Sequence, residues 1–307
     1  MADITLIDGT KLRGALRSDE AMWRHVSWRA GGNAECFFQP ADVGDLRAFL
    51  RALPPDEEIL FVGLGSNLLV RDGGFAGTVI FTHHALTGIS PGASTRGRFT
   101  FEAGAGVPAP HLARFVAKHG GAGAEWMAGV PGTIGGALAM NAGCYGGETW
   151  ENVVAVTTID RAGELHARTA VDYDIGYRHV VAHGGREEWF VSATFAFDRG
   201  DERAALARVK ELLQQRVASQ PLNEPNAGSV FRNPPDDHAA RLIESCGLKG
   251  FTIGGAHVST KHSNFIVNTN NATAADIEAV IDHVQGVVRE KTGIELVREV
   301  RIVGNKR

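Results

Sequence analysis

The stretch from Ala128 to Gly146, AGVPGTIGGALAMNAGCYG, constrains the backbone more than any other part of the chain. Glycine recurs at positions 129, 132, 135, 136, 143 and 146. Lacking a Cβ, glycine accepts positive φ and lets a ligand or a neighbouring segment approach the backbone closely. Pro131 stiffens the entry, and Thr133 stands where it can cap a short apolar helix. Free amides at such a helix start attract an anion, above all a pyrophosphate. Taken alone, the segment reads equally well as a phosphate cradle or as a tight structural connection.

An earlier segment favours the cradle. Ile59-Leu60-Phe61-Val62 reads as a buried strand that runs into Gly63-Leu64-Gly65-Ser66-Asn67-Leu68-Leu69-Val70. A Gly/Ser/Asn turn after a strand gathers amides and short polar side chains at the strand's carboxyl end. Neither common nucleotide fingerprint fits. The dinucleotide pattern G-x-G-x-x-G needs glycine where Leu68 stands, and no Gly-Lys-Ser/Thr of a P-loop occurs near either segment. The two turns are therefore phosphate-binding turns of another kind.

With 307 residues the chain is long enough for two or three domains. A net charge of −4 argues against a general nucleic-acid or membrane-surface binder. Cys36, Cys144 and Cys246 have neither disulfide-framework nor zinc spacing. His257 and His262 are close in sequence, but the nearest acidic or thiol partners, Glu244 and Cys246, lie ten or more residues away, so no metal site is expected. No charged start with a long apolar run opens the sequence and no run approaches membrane length, so a soluble cytoplasmic protein is expected.

Along the chain, Asp42 to Leu53 is a helix with Leu46, Phe49, Leu50 and Leu53 on one face, stopped by Pro54-Pro55. Strands are expected at 59–62, 78–82 and from Phe99, then a short helix around Leu112, Phe115 and Val116. A hairpin spans 152–160 and 164–169, and a strand runs from Trp189 to Phe197. Strands without alternating long helices indicate an α+β arrangement. Asp201 caps a helix with Leu206, Val209, Leu212, Leu213 and Val217 inward, and further helices span 237–246 and follow Thr273. Strands are expected at 263–267 and 295–303, the latter placing Val297, Glu299, Arg301 and Val303 on one face.

These segments resemble a known family. Gly63-Leu-Gly-Ser-Asn-Leu-Leu-Val70, Gly129-Val-Pro-Gly-Thr-Ile-Gly-Gly-Ala137 and Met140-Asn-Ala-Gly143 are similar to the UDP-N-acetylenolpyruvoylglucosamine reductases. So are Tyr177-Arg178, Gly228-Ser-Val-Phe-Arg-Asn-Pro234, Leu242-Ile-Glu244, Gly247-Leu-Lys-Gly250, Ala256-His-Val-Ser259, His262-Ser-Asn-Phe-Ile-Val-Asn268 and Leu296-Val-Arg-Glu-Val300. The motifs stand in family order over roughly residues 20–303. The family more often has Pro at 33, Ser at 180 and Lys at 232, where Asn33, Val180 and Arg232 stand.

The resemblance implies an α+β fold. A two-lobed FAD-binding domain of the vanillyl-alcohol-oxidase-like type would occupy 1–199, its small lobe about 1–85 and its larger lobe about 86–199. A substrate-binding domain would occupy 200–307. The short span between Arg178 and Ser229 matches the shorter family type, which lacks an extra tyrosine-bearing loop. Non-covalent FAD is implied, held by Gly63, Gly65, Ser66, Asn67, Gly129, Pro131, Gly132, Thr133, Gly135, Gly136, Asn141 and Ala142. NADPH is implied as hydride donor, and a nucleotide-sugar enolpyruvyl ether as substrate. Ser229 matches the family's proton donor, Arg178 its carboxylate-binding arginine and Glu299 its acidic catalytic partner. Tyr177, Arg232 and Asn233 match substrate-lining positions. An oxidase or dehydrogenase on the same flavin fold with an unrelated substrate, and a nucleotide-sugar-binding module without catalysis, are the alternatives.

Overall fold

The computed structural model describes the backbone of residues 4–5 and residues 11–94 and 97–307 in full. Contacts divide the chain into two compact units, neither continuous in sequence. The first comprises residues 1–17, 37–63 and 78–215, and the second 18–36, 64–77 and 216–307. Three strands, Ala15–Ala21, Asn33–Gln39 and Phe75–Phe81, and the helix Glu202–Ser219 carry the chain across the division. The expected linear partition at residue 200 differs from this grouping at two N-terminal segments and at the helix, where the division follows Gln215.

In the first unit the antiparallel order is Leu165–Arg168, Val153–Asp160, Glu188–Arg199, Phe99–Gly104, Ile89–Pro91. Alternation along these strands turns Phe101, Val156, Ala193, Phe195 and Phe197 into one buried cluster with Leu112, Val116, Trp126, Leu138 and Trp150. Each fully buried aromatic or aliphatic side chain stabilises the unit by roughly 1.5–3 kcal/mol. Helices Ala109–Lys118 and Ile134–Met140 supply the covering face. The hairpin at 160–164 closes through Gly163 at φ 73, with Gly163 N–H donating to Asp160 O. Asp42 caps helix Val43–Ala52 by accepting from Asp45 N–H, as its position implies. Ile59–Val62 pairs in parallel with residues 78–81.

The second unit is built on helix Ala274–Thr292. Its buried face, Ile277, Val280, Ile281, Val284 and Val288, packs with Trp28, Leu69, Phe231, Leu242, Ile243, Val258 and Ile266. Thr273 and Asp276 form a capping box at its start, and Gly293 at φ 74 ends it. Asp72 adds a second cap, accepting from Ala274 N–H at 3.0 Å and Ala275 N–H at 2.9 Å. A three-stranded antiparallel sheet orders Thr252–Ile253, Ala256–Val258 and Ile266–Asn268. Leu68–Val70 pairs in parallel with Arg301–Val303. That pairing, the Asp72 cap and the Arg71–Glu278 ion pair explain why 64–77 groups with the C-terminal residues.

Three local expectations are corrected. Residues 295–300 are not a continuous strand: only Arg301–Val303 is, and Arg298 makes an isolated bridge with Phe231. The segment lies against 230–232 instead of a sheet edge, so period-two alternation does not describe it. The strand expected at 263–267 is confined to Ile266–Asn268, because 262–265 turn through Phe265 N–H donating to His262 O. Val217 is exposed, since helix Glu202–Ser219 buries only Ala205, Val209 and Leu212.

Glu278 is 9% exposed and Arg71 27% at the side chain, with Nε and Nη2 donating to the two carboxylate oxygens at 2.9 Å each. Arg71 holds the Glu278 carboxyl below its ordinary pKa, chiefly by bonding the charged form. Such a contribution is complete above the unfolded value and disappears as the pH falls through the lower folded value. Breaking a buried pair costs about 3–5 kcal/mol, less where one partner is partly wet. Glu278→Gln is therefore expected to lower stability by about 2–3 kcal/mol at pH 7 in urea unfolding. The gap to wild type should close below about pH 4. An unchanged gap at low pH would show that the charge is not the source.

Candidate active site

In the first unit the two glycine segments meet. A Cβ at Gly63 would overlap Thr133 Oγ1, so glycine is required at the end of strand Ile59–Val62 for the close approach. Thr133 caps helix Ile134–Met140, its Oγ1 accepting from Gly136 N–H at 3.5 Å. The helix start does not offer the free amides expected of an anion site. Ile134 N–H donates to Val107 O and Gly135 N–H to Ala105 O, both at 2.8 Å. The reason is topological: Thr133 bridges antiparallel to Pro108, which lays the first helical turn against 105–108. What the cradle presents outward is bare backbone. Pro131 and Gly136 are exposed, Gly132 is half-buried, and a Cβ at Gly136 would meet nothing nearer than Thr133 Oγ1 at 3.8 Å.

The helix ends on Asn141 in the left-handed region at φ 42. Ala142 N–H donates to Ala137 O at 2.9 Å, and Ala142 O accepts from Thr149 N–H and Oγ1. Gly129 is packed so that a Cβ would strike Cys144 and Tyr145. Cys144 Sγ lies 3.0 Å from Trp126 O. Arg178 stands in the turn between strands Tyr173–Gly176 and His179–Ala182, itself left-handed at φ 54. Its Nη1 donates to Asn141 O at 3.3 Å and its Nη2 to Gly143 O at 2.8 Å. The guanidinium carbon lies 5.0 Å from the centre of the Tyr177 ring, which is exposed. Val180, at the position where the family more often has Ser, pairs with Ile175 in the hairpin.

The second unit gathers the other residues. Gly65, at φ 60, stands where a Cβ would strike His25 O. Ser66 is half-buried. Asn67 Nδ2 donates to Glu299 O at 3.1 Å, and Asn67 O accepts from Arg301 N–H at 3.0 Å. Ser229 follows Gly228 at φ 73, whose N–H donates to Asn226 Oδ1 at 2.9 Å. Val230 O accepts from Glu299 N–H at 2.8 Å, so the backbones of Ser229 and Glu299 are neighbours. Arg232 N–H donates to Val297 O at 2.8 Å, and the buried Arg232 Nε finds no acceptor among the described residues. Asn233 Oδ1 accepts from Ala239 N–H at 3.1 Å, at the start of helix Ala239–Ser245.

The sequence reading missed Asn264. It is buried, its Nδ2 donates to Phe231 O at 2.8 Å, its Oδ1 accepts from Phe231 N–H at 3.0 Å, and its carbonyl accepts from Val230 N–H at 2.9 Å. The signal was an Asn inside an otherwise apolar run, Ser263-Asn-Phe-Ile-Val267. A buried amide there needs polar partners. His257 and His262 serve different surroundings. His257 Nδ1 lies 3.2 Å from Thr269 Oγ1, while His262 packs edge-on to Phe265 and burial lowers its pKa.

Residues 34–168 match the sequence model of an FAD binding domain. The glycines at 132, 135 and 136, beside Gly63, fit such a cofactor, because a flat ring or a pyrophosphate can approach their backbone without displacing a side chain. The chain is an FAD-binding oxidoreductase. Residues 220–303 match the C-terminal domain of UDP-N-acetylenolpyruvoylglucosamine reductase. The reductase of that name from Thiobacillus denitrificans is 53% identical over 317 aligned positions, covering 100% of this chain and 98% of the relative. That from Nitrosomonas eutropha is 54% identical, covering 97% of this chain and 91% of the relative. The crystal structure of the Thermus caldophilus reductase superposes with a TM-score of 0.77 at 28% identity, over 95% of this chain and 100% of that one. The chain belongs to the UDP-N-acetylenolpyruvoylglucosamine reductase family.

Two outcomes are expected of the cradle. Acid precipitation should leave yellow flavin in the supernatant, since neither 63–67 nor 129–136 carries a histidine or a cysteine. Flavin in the pellet would point to Cys144. Separately, Gly63→Ala should lower the temperature of flavin release, with about 1–3 kcal/mol of overpacking against Thr133. Thr133→Ala alone should cost about 1 kcal/mol as a lost cap. In the double variant the two costs should sum to less than their separate values, and strict additivity would rule out the contact.

Proposed function

We propose that the chain reduces the enolpyruvyl ether of UDP-N-acetylglucosamine to UDP-N-acetylmuramate, a peptidoglycan precursor, in the cytoplasm and with NADPH as hydride donor. The observation that carries this reading is the backbone bond between Val230 and Glu299, which sets Ser229 in the neighbouring position. That bond lies in a segment matching the reductase's own C-terminal domain. An oxidase on the flavin fold alone would have no use for it.

When bound, FAD would supply the hydride chemistry between NADPH and the substrate double bond. Gly63, Gly65, Ser66, Asn67, Gly129 and the 131–136 turn are the residues we assign to hold it. Asn141 and Ala142, whose polar groups are already engaged, shape the end of that turn. Hydride addition at the terminal carbon leaves negative charge on the carbon beside the substrate carboxylate. Arg178 grips that carboxylate and stabilises the enolate by charge-assisted bonds. The Ser229 hydroxyl donates a proton to the carbon. Glu299 is assigned as the acidic partner that supports the proton transfer. The unpartnered Arg232 Nε is suited to an anionic part of the nucleotide sugar, with Tyr177 and Asn233 lining the substrate.

Two variants test the roles. Ser229→Ala should still let NADPH bleach the flavin at near wild-type rate. Reoxidation by the enolpyruvyl substrate should slow by at least ~10²-fold, the low end for a lost general acid. Equal slowing of both half-reactions would make Ser229 structural, and slowing of neither would assign the proton to another donor. Arg178→Lys keeps a charge but loses both the paired grip and one of the two carbonyl bonds. It should cost about 2.7–4 kcal/mol in kcat/KM, with turnover as well as apparent affinity affected. Near-normal turnover would remove Arg178 from the site.

A further inference from the structure

The turn that carries Arg178 is not held by its own hairpin alone. Asn141 is buried, and its side-chain amide is fully used. Nδ2 donates to Glu148 Oε2 at 2.8 Å and to Gly176 O at 3.1 Å, while Oδ1 accepts from Trp150 N–H at 3.1 Å. Flipping the amide would set a donor against the Trp150 N–H, so these partners fix one orientation. Asn141 therefore ties the residue two before Arg178 to the helix end, while Arg178 itself donates to Asn141 O and Gly143 O.

Glu148 anchors the other side of this arrangement. It pairs across from Gly143 in the two-stranded ladder of Gly143–Cys144 with Gly147–Glu148. Gly143 is pressed so close to this strand that a Cβ would overlap Gly147 O and meet Glu148 Cγ at 3.0 Å. A capping box with Glu151 fixes the Glu148 backbone, its N–H donating to Glu151 Oε2 at 3.0 Å. Both carbonyls that receive the Arg178 guanidinium thus belong to residues fastened to Glu148, one through the Asn141 amide and one through the ladder.

We propose that Glu148, acting through Asn141, is the positioning residue that holds the Arg178 turn in its carboxylate-binding pose. This rests on the reading of Arg178 given above. Removing the carboxylate leaves one Asn141 amide proton without an acceptor in a buried place, and the amide loses the charge-assisted bond that orients it toward Gly176. The turn then gains freedom. A misplaced cation costs about 10- to 100-fold when alignment to a reacting group is lost.

The test uses the flavin-loaded protein and separates the two half-reactions. In Glu148→Ala, flavin reduction by NADPH should stay within about twofold of wild type. Reoxidation by UDP-N-acetylglucosamine enolpyruvate should slow about 10- to 100-fold. The Kd for UDP-N-acetylmuramate, measured by calorimetry, should rise by about tenfold. Glu148→Gln keeps an acceptor for Asn141 Nδ2 and should restore both values to within about threefold. In an Arg178→Lys background, Glu148→Ala should add less than about threefold, because the group it positions is already gone. Loss of flavin from Glu148→Ala, equal slowing of both half-reactions, failure of Glu148→Gln to restore, or full additivity with Arg178→Lys would each overturn the proposal. If Arg178→Lys alone is normal, the reading of Arg178 fails. If Arg178→Lys is impaired but Glu148→Ala is normal, only the positioning role fails.

Discussion

The hydrogen bond from Glu299 N–H to Val230 O is the constraint that holds the 229 and 299 segments of the second unit side by side. Residues 229 and 299 stand far apart in sequence and neither lies in a regular strand or helix. Their proximity comes from main-chain pairing, Val230 with 264 and 299, Phe231 with Arg298 and Arg232 with 297, and from two asparagine side chains, Asn264 on Phe231 and Asn67 on Glu299 O. A serine hydroxyl can act as an acid only where its position is held against water's alternatives, and here the backbone on both sides is fixed before any ligand arrives.

A common device recurs in both units. Irregular backbone leaves amides and carbonyls that secondary structure would have paired, and buried ones must find partners. Asparagine supplies them, because a short side chain with two donors and an acceptor can close such a loop without filling space. Asn264 brackets Phe231, Asn226 turns the chain into Gly228, Asn67 holds Glu299 O, and Asn141 joins Glu148 to Gly176. The side chains proposed for the site therefore ride on loops whose backbone groups are satisfied by asparagine, although they follow no periodic pattern.

That absence of period decides what could be read in advance. Helices with a one-sided apolar face, Val43–Ala52 and Ala274–Thr292, and strands with alternation, Phe99–Gly104 and Glu188–Arg199, were legible from spacing and caps. The glycines at 63 and 129 were legible as close approaches, but not what they approach, since Thr133, Cys144 and Tyr145 are brought there by tertiary packing. The amides of 134 and 135 illustrate the limit: local chemistry offers them to an anion, and the segment at 105–108 takes them first. Residues 295–300 carried an alternating pattern without forming a strand, because Leu296 and Val300 face the core from a loop pinned to 230–232. Grouping of 18–36 and 64–77 with the C-terminal residues left no trace in composition, for it depends on a parallel pairing and a cap that bridge some two hundred positions.

The interleaving has a consequence for biosynthesis. Trp28, Ala30 and Leu69 are buried in a core whose other members lie beyond residue 226, and Trp28 Nε1 donates to Ile266 O at 2.7 Å. As the chain leaves the ribosome, these apolar side chains and the open edge of Leu68–Val70 emerge long before their partners exist. A core closed by residues 227–300 cannot form until they have been made, which exposes the nascent chain to aggregation and to chaperone capture. The same arithmetic sets the limits of dissection. The segment 220–303, excised as a unit, would lack the strand that completes its parallel pair and the aspartate that caps its longest helix.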